Sequence, residues 1–73
     1  MTEPRDVAIR PAEEMIRLGQ LLKHAGLAPS GGEARAMLEA GVVTVNGDAE
    51  ARRGRQLHRG DVVAVGDDAV RVT

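Results

Sequence analysis

Residues 30–47, SGGEARAMLEAGVVTVNG, constrain the fold more than any other stretch of the chain. Ser30 followed three residues later by Glu33 is typical of a capping box, in which each side chain satisfies an unpaired amide at a helix start. Apolar residues then recur at the spacing of one helix face, at Ala34, Met37 and Leu38. Gly41 follows where a residue with positive φ commonly ends a helix. The stretch therefore predicts a short helix that begins after Ser30 and stops before Gly41.

A β-hairpin is predicted directly after this helix. Three valines between residues 42 and 45 are β-branched and favour a strand. Asn46-Gly47 is the pair preferred in a type I′ turn, so we expect Asp48 to Arg53 to form the return strand.

The remaining segments predict a second helix and further strands. Leucines and an alanine at i, i+3, i+4 and i+7 indicate an amphipathic helix over residues 18–25, joined to the later helix by a short connection. Residues 13–17 fit either a strand or a helix. Strands are predicted at Asp6 to Arg10, which Pro11 would end, at Asp61 to Val65 and at Ala69 to Val72. The fold class is α+β, a two-helix hairpin packed on a small, mostly antiparallel β-sheet. Residues 1–13 are predicted to be an N-terminal tail with a candidate edge strand, and residues 14–73 the domain.

Composition excludes several classes of function. The chain has no Cys and two His, so neither a disulfide framework nor a metal site is expected. Its apolar runs are at most four residues long, which predicts no membrane segment and a cytoplasmic protein. No nucleophile stands beside a base, so we expect no enzyme and no cofactor. The absence of Phe, Tyr and Trp removes the rings on which many single-strand binders stack bases. Any nucleic acid would have to be held by backbone amides, arginines and shape.

The net charge of −1 is unevenly distributed. Residues 1–16 carry −2, residues 17–60 carry +3 and residues 61–73 carry −2. A basic middle between acidic ends is compatible with one cationic face.

Two features of this basic middle are candidate phosphate sites. Gly31 and Gly32 occupy the first helical positions, where outward-pointing amides and the helix dipole favour an anion; a flexible loop before the helix explains them equally well. The second feature is a cluster of guanidinium groups, suited to binding two phosphate oxygens at once, at Arg52, Arg53, Arg55 and Arg59. The alternative for this cluster is a solvated loop balanced by Asp48 and Glu50.

Three further side chains near these features allow two interpretations. Arg35 is able to contact a phosphate or to pair with Glu39 at i+4. Lys23 is a candidate contact, while His24 is interpreted as an ordinary surface histidine. We expect the amides that open the second helix and the arginine cluster to converge on one anion-binding face.

Four motifs in order resemble the S-four type RNA-binding domain, or alpha-L motif, and most closely its small stand-alone bacterial members. They are LGQLLK at 18–23, SGGEA at 30–34, VNG at 45–47 and RRGR at 52–55. The resemblance covers about residues 14–72. It implies structured RNA bound by the helical hairpin and the adjoining strand loop, on a surface that falls on Lys23, Ser30, Gly31, Gly32, Arg35, Arg52, Arg53 and Arg55.

The chain departs from larger family members at two points. Gly19 stands where they usually have Asp after Arg-Leu, and Gly31-Gly32 stand where they often have Ser-Arg. The second departure shifts phosphate binding to backbone amides and to residues 52–55.

The sequence as a whole predicts a non-catalytic module that recognises folded RNA, ribosomal or tRNA-like, by phosphate geometry rather than base sequence. The ribosome is a candidate partner, and neither DNA nor a membrane is expected. The alternative is a protein-interaction adaptor on the same scaffold, with the acidic ends or an exposed strand edge as its contact surface.

Overall fold

Two helices form a hairpin in the computed structural model, which describes residues 3–73. Helix α1 spans Leu18–His24 and helix α2 spans Gly31–Glu39. Leucines 18, 21 and 22 are fully buried because they share the face of α1 that packs on the rest of the domain. The predicted helical hairpin is confirmed, with both helices close to the expected bounds.

Both ends of α2 follow from local chemistry. The Ser30 hydroxyl accepts a hydrogen bond from the Glu33 amide at 3.2 Å, which is one half of the predicted capping box; within residues 3–73 the Glu33 side chain does not accept from the Ser30 amide in return. At the other end Gly41 has a φ of 74°, its amide donates to Leu38, and the Val42 amide donates to the Met37 carbonyl. This pair of bonds is a Schellman motif. Because the motif holds Val42 at the helix end, Val42 is not part of the following strand, contrary to the prediction. The Val42 side chain is 47% exposed.

The main sheet has five strands: β1 (Arg5–Val7), β3 (Val43–Val45), β4 (Asp48–Ala49), β6 (Val62–Val65) and β7 (Asp68–Val72). They lie in the order β1-β7-β6-β3-β4. Strand β1 runs parallel to β7, and the other neighbours are antiparallel. The predicted α+β class with a mostly antiparallel sheet is therefore confirmed.

A separate two-stranded ladder joins the start of α1 to a later segment. Strand β2 (Ile16–Arg17) pairs antiparallel with β5 (Gln56–Leu57). Residues 16 and 17 are thus strand rather than helix, which resolves the alternative that the sequence left open. This ladder fixes residues 50–55 beside the first turn of α1.

Two predicted strands are shorter than expected. The return strand of the hairpin ends at Ala49 rather than Arg53, because Glu50 turns inward and its carboxylate accepts hydrogen bonds from the Ala51 and Arg52 amides. The N-terminal strand ends at Val7, before Pro11 is reached.

The core lies between the helices and one face of the main sheet. Among residues 3–73 it contains thirteen buried apolar residues, chiefly leucines of α1 and valines of β3, β6 and β7. Each fully buried Val or Leu contributes about 1.5–3 kcal/mol. Ile9 belongs to this core and β1 to the main sheet, so residues before the predicted boundary at 13/14 pack with the domain. The boundary itself stays a prediction.

Candidate functional site

Residues 50–55, which we call the arginine bend, cap the first helix. The Leu18 amide donates to the Arg55 carbonyl at 2.9 Å. The Gly19 amide donates to the Arg53 carbonyl, also at 2.9 Å. The N-cap residue of α1, Arg17, makes no side-chain cap hydrogen bond. The bend therefore satisfies the amides that a helix start leaves unpaired, and it is held against α1 for that reason.

Gly19 allows the bend to approach this closely. A Cβ built at Gly19 would lie 2.5 Å from Arg53 Cγ and 3.2 Å from Arg53 Cδ. Real Cβ atoms do not come this near to other heavy atoms. The stem of Arg53 thus lies flat on the backbone of α1, which fixes the start of its side chain. Glycine is needed at residue 19 because a side chain there would clash with the stem of Arg53.

A groove of about 480 Å³ opens between α1, the start of α2 and the arginine bend, and we call it the basic groove. Three of its eight lining residues are cations and none is a carboxylate. The cations are Arg17, Lys23 and Arg53. Arg17 is oriented by a hydrogen bond from Nη1 to the Gly54 carbonyl at 2.9 Å. The arrangement concentrates positive charge in a concave surface of a chain that is otherwise slightly acidic.

The first turn of α2 presents free amides at this groove. The Ser30 hydroxyl accepts from Glu33, and the Ser30 carbonyl accepts from Ala34. Within residues 3–73, no backbone or side-chain acceptor binds the amides of Gly31 and Gly32. Gly31 lines the basic groove. The two helix starts therefore differ: the bend caps α1, while α2 keeps two donors available to an anion.

A buried carboxylate holds the other arginines of the bend. Glu50 is 9% exposed, and its Oε1 accepts from Arg52 at 2.9 Å and from Arg55 at 3.2 Å. The hydrogen bonds from the Arg52 side chain, followed by that from the Arg52 amide, lower the pKa of Glu50 from 4.5 to about 2. The same hydrogen bond with Glu50 raises the pKa of Arg52 above its ordinary value. Two of the three arginines in the bend are thus ion-paired within the protein.

The predicted site residues fall into two sets. Lys23, Gly31 and Arg53 line the basic groove, and Ser30 and Gly32 flank Gly31 in the first turn of α2. The second set is engaged elsewhere: Arg52 and Arg55 bind Glu50, and Arg35 binds Glu39 at 3.0 Å, where both side chains are mostly exposed. The amide-bearing helix start and the arginine bend do meet at one groove, but Arg53 is the one arginine of the bend that lines it.

Sequence reasoning missed Arg17, Gln20 and Gly54 as groove residues. Arg17, Gln20 and Lys23 are spaced by three residues, a spacing that places neighbours along one side of a helix. This spacing was available in the sequence, whereas the position of Gly54 depends on the β2–β5 ladder.

Other kinds of site find no support in the part of the chain that the structure describes. Among residues 3–73, no three His, Cys, Asp or Glu side chains come close enough to hold a metal ion. None of the described helices has the length and apolarity needed to cross a bilayer.

Comparison with solved structures defines the class of this domain. The solution structure of YbcJ from E. coli, described as revealing an αL motif involved in RNA-binding, superposes with a TM-score of 0.70 at 26% sequence identity. The match covers 100% of this chain and 91% of YbcJ. The helical hairpin followed by a β-hairpin is therefore an αL-motif domain.

Sequence comparison gives the family. The S4 domain model matches residues 9–73, and the chain belongs to this family. A relative from Bacillus subtilis (strain 168), the probable ribosome maturation protein RlbA, is 50% identical over 52 residues. That alignment covers 71% of this chain and 73% of the relative.

Proposed function

We propose that this protein is a non-catalytic module that binds structured RNA in the basic groove. The observation that carries the proposal is the groove itself, which has three cations, no carboxylate and two free amides nearby. The membership of the S4 domain family and the αL motif of YbcJ support RNA as the ligand. The name of the Bacillus subtilis relative, a probable ribosome maturation protein, supports ribosomal RNA as the ligand and the ribosome as the partner. A tRNA-like RNA is the alternative ligand, and we propose the cytoplasm as the location.

The groups in and beside the groove have distinct roles in this proposal. The amides of Gly31 and Gly32 bind one phosphate at the positive end of α2, and the Ser30 hydroxyl holds that turn in place. Arg53 and Lys23 bind adjacent phosphates. Because these groups read phosphate positions rather than base edges, the module recognises the shape of a folded RNA.

The ion-paired arginines contribute less. The Arg52 and Arg35 side chains are 76% and 70% exposed, so each is able to reach a phosphate at the edge of the site while keeping its carboxylate partner. Arg55, at 32% exposure and bound to Glu50, is a weaker contact. We therefore expect affinity to depend on Arg53 more than on its neighbours.

The test compares two glutamine variants within the arginine bend. Arg53→Gln keeps the stem on Gly19 but removes the charge from the groove, while Arg52→Gln is the matched control. Binding of a fluorescently labelled RNA stem-loop is measured by anisotropy over a range of salt concentrations. Three to five phosphate contacts predict a log–log salt slope of about −2 to −4, and Arg53→Gln should reduce its size by roughly 1.

Two results would contradict the proposal. One is equal affinity and equal slope for Arg53→Gln and the parent protein. The other is binding that changes little with salt, which would favour the protein-interaction adaptor, because contacts along a sheet edge depend weakly on ionic strength.

A further inference from the structure

A second groove, of about 560 Å³, lies along α1 beside the basic groove, and we call it the side groove. It is bounded by residues 8–13, by Ile16 and by α1. Its volume falls within the range of about 300–1,000 Å³ that is typical of small-ligand sites. No predicted site residue except Lys23 belongs to it.

The side groove has an apolar part. Ile9 is 6% exposed and Ile16 is partly buried, and both line the groove while packing against the core. Branched aliphatic side chains fixed in this way offer a flat apolar surface. His24 adds the one planar ring of the lining, in a chain that has no Phe, Tyr or Trp. A planar ligand therefore has both an apolar surface and a ring to contact.

The polar part of the side groove differs in kind from the basic groove. It contains a carboxylate, Glu13, and an amide, Gln20, in addition to the cations. Within residues 3–73, the side chains of Glu13, Gln20 and His24 make no hydrogen bond or ion pair. A carboxylate repels phosphate but accepts hydrogen bonds from the amino and imino groups of a base. The lining thus suits a base rather than another phosphate.

The two grooves adjoin each other. Gln20 and Lys23 line both of them, so a ligand in the basic groove reaches the side groove by crossing α1 at these two side chains. A nucleotide has the same two parts in sequence, a phosphate and a planar base. RNA-binding proteins read unpaired bases that leave the helical stack by hydrogen bonds to their edges and by stacking.

We infer that the side groove binds one unpaired base of the RNA whose phosphates occupy the basic groove. Glu13 accepts hydrogen bonds from the amino-bearing edge of that base, and His24 stacks on its face. Guanine, with adjacent imino and amino donors, fits a carboxylate best, and uracil, which has no amino group, fits worst. This inference rests on the proposed function and adds to it a preference for bulged or flipped nucleotides.

The experiment uses three labelled stem-loops that differ at one position: a continuous stem, a single bulged guanine and a single bulged uracil. The intact protein should bind the bulged-guanine RNA roughly tenfold more tightly than the other two, as one good carboxylate–base pair predicts. Glu13→Ala should abolish this preference while leaving affinity for the continuous stem unchanged or slightly higher. Glu14→Ala, which removes the same charge from the adjacent exposed residue, should retain the preference.

Two histidine variants, one test and one control, provide a second measurement. His24→Ala should weaken binding of the bulged-guanine RNA by roughly fivefold or more, because the ring stacks on that base, and should leave binding of the continuous stem unchanged. His58→Ala is the control, since His58 is exposed and lies outside the side groove. Circular dichroism of each variant confirms the fold.

The outcomes separate this inference from the proposed function. Equal affinity of the intact protein for all three RNAs, or equal effects of Glu13→Ala and Glu14→Ala, overturns the base site while salt-dependent binding through Arg53 stands. Absence of binding to every RNA overturns both.

Discussion

Alanine in place of Gly31 is expected to stabilise the protein and to weaken RNA binding at the same time. A Cβ at this position meets no heavy atom within 4 Å, and residue 31 is helical, with no positive φ. The fold therefore does not require glycine there. Glycine at a site that alanine can adopt without strain lowers stability by about 0.4–1 kcal/mol, chiefly through the entropy of the unfolded chain.

The size of both effects follows from the geometry. For a domain of this length, about 0.4–1 kcal/mol corresponds to a rise of about 2–8 °C in the melting temperature. The new methyl group would stand in the basic groove beside the free amides. Because hydrogen bonds to a charged group contribute about 1.5–3 kcal/mol, loss of one phosphate contact should reduce affinity roughly tenfold or more.

The assay pairs thermal unfolding, followed by circular dichroism at 222 nm, with anisotropy of a labelled stem-loop. Protein concentration is taken from peptide-bond absorbance, since the chain has no Trp or Tyr. Gly32→Ala is the comparison variant: its amide serves the same phosphate and there is room for a Cβ, but residue 32 does not line the groove, so the added methyl group stands outside the groove. It should raise the melting temperature similarly and lose less affinity. A lower melting temperature for Gly31→Ala, or an unchanged affinity, would refute the reasoning.

Two further predictions concern stability. Glu50 has a pKa of about 2 in the folded protein against 4.5 ordinarily, so its ionised form stabilises the fold fully above pH 4.5 and progressively less as the pH falls towards 2. Urea midpoints measured from pH 6 to pH 2 should therefore fall less steeply for Glu50→Gln than for the parent, and parallel curves would contradict this. Leu57→Ala, which empties a fully buried position of the β2–β5 ladder, should lower the free energy of unfolding by about 2–5 kcal/mol. The exposed neighbour Gln56→Ala should change it by less than about 0.5 kcal/mol, and similar losses for the two variants would count against the described core.

Local signals in the sequence predicted the elements that local chemistry determines. Three such elements are present: the cap at Ser30, the helix end at Gly41 and the turn at Asn46-Gly47, whose two residues both have positive φ. Each of them depends on residues that lie within five positions of each other in the chain. Val42 was wrongly included in the strand because its β-branched side chain favours a strand. In the structure the Val42 amide instead donates to the Met37 carbonyl in the Schellman motif, which keeps Val42 at the helix end.

Pairings between distant segments were less predictable. The ladder of residues 16–17 with residues 56–57, and the parallel pairing of β1 with β7, join segments that are about 40 and 65 residues apart. Which arginines are ion-paired and which one lines the basic groove also depends on contacts that form only in the folded chain. Both Glu50 and the arginines were recognised in the sequence, but only the folded bend decides which guanidinium groups the buried carboxylate binds and which one lies on Gly19.

Strand β7 pairs with β1 on one side and with β6 on the other, so the earliest and the latest strands of the described chain are neighbours. On a translating ribosome, β1 has no partner until residues 68–72 have emerged, whereas the helical hairpin is complete some thirty residues sooner. Closure of the sheet is therefore a late event in biosynthesis. A nascent chain of this kind would carry its groove-forming helices before it has the sheet that supports them.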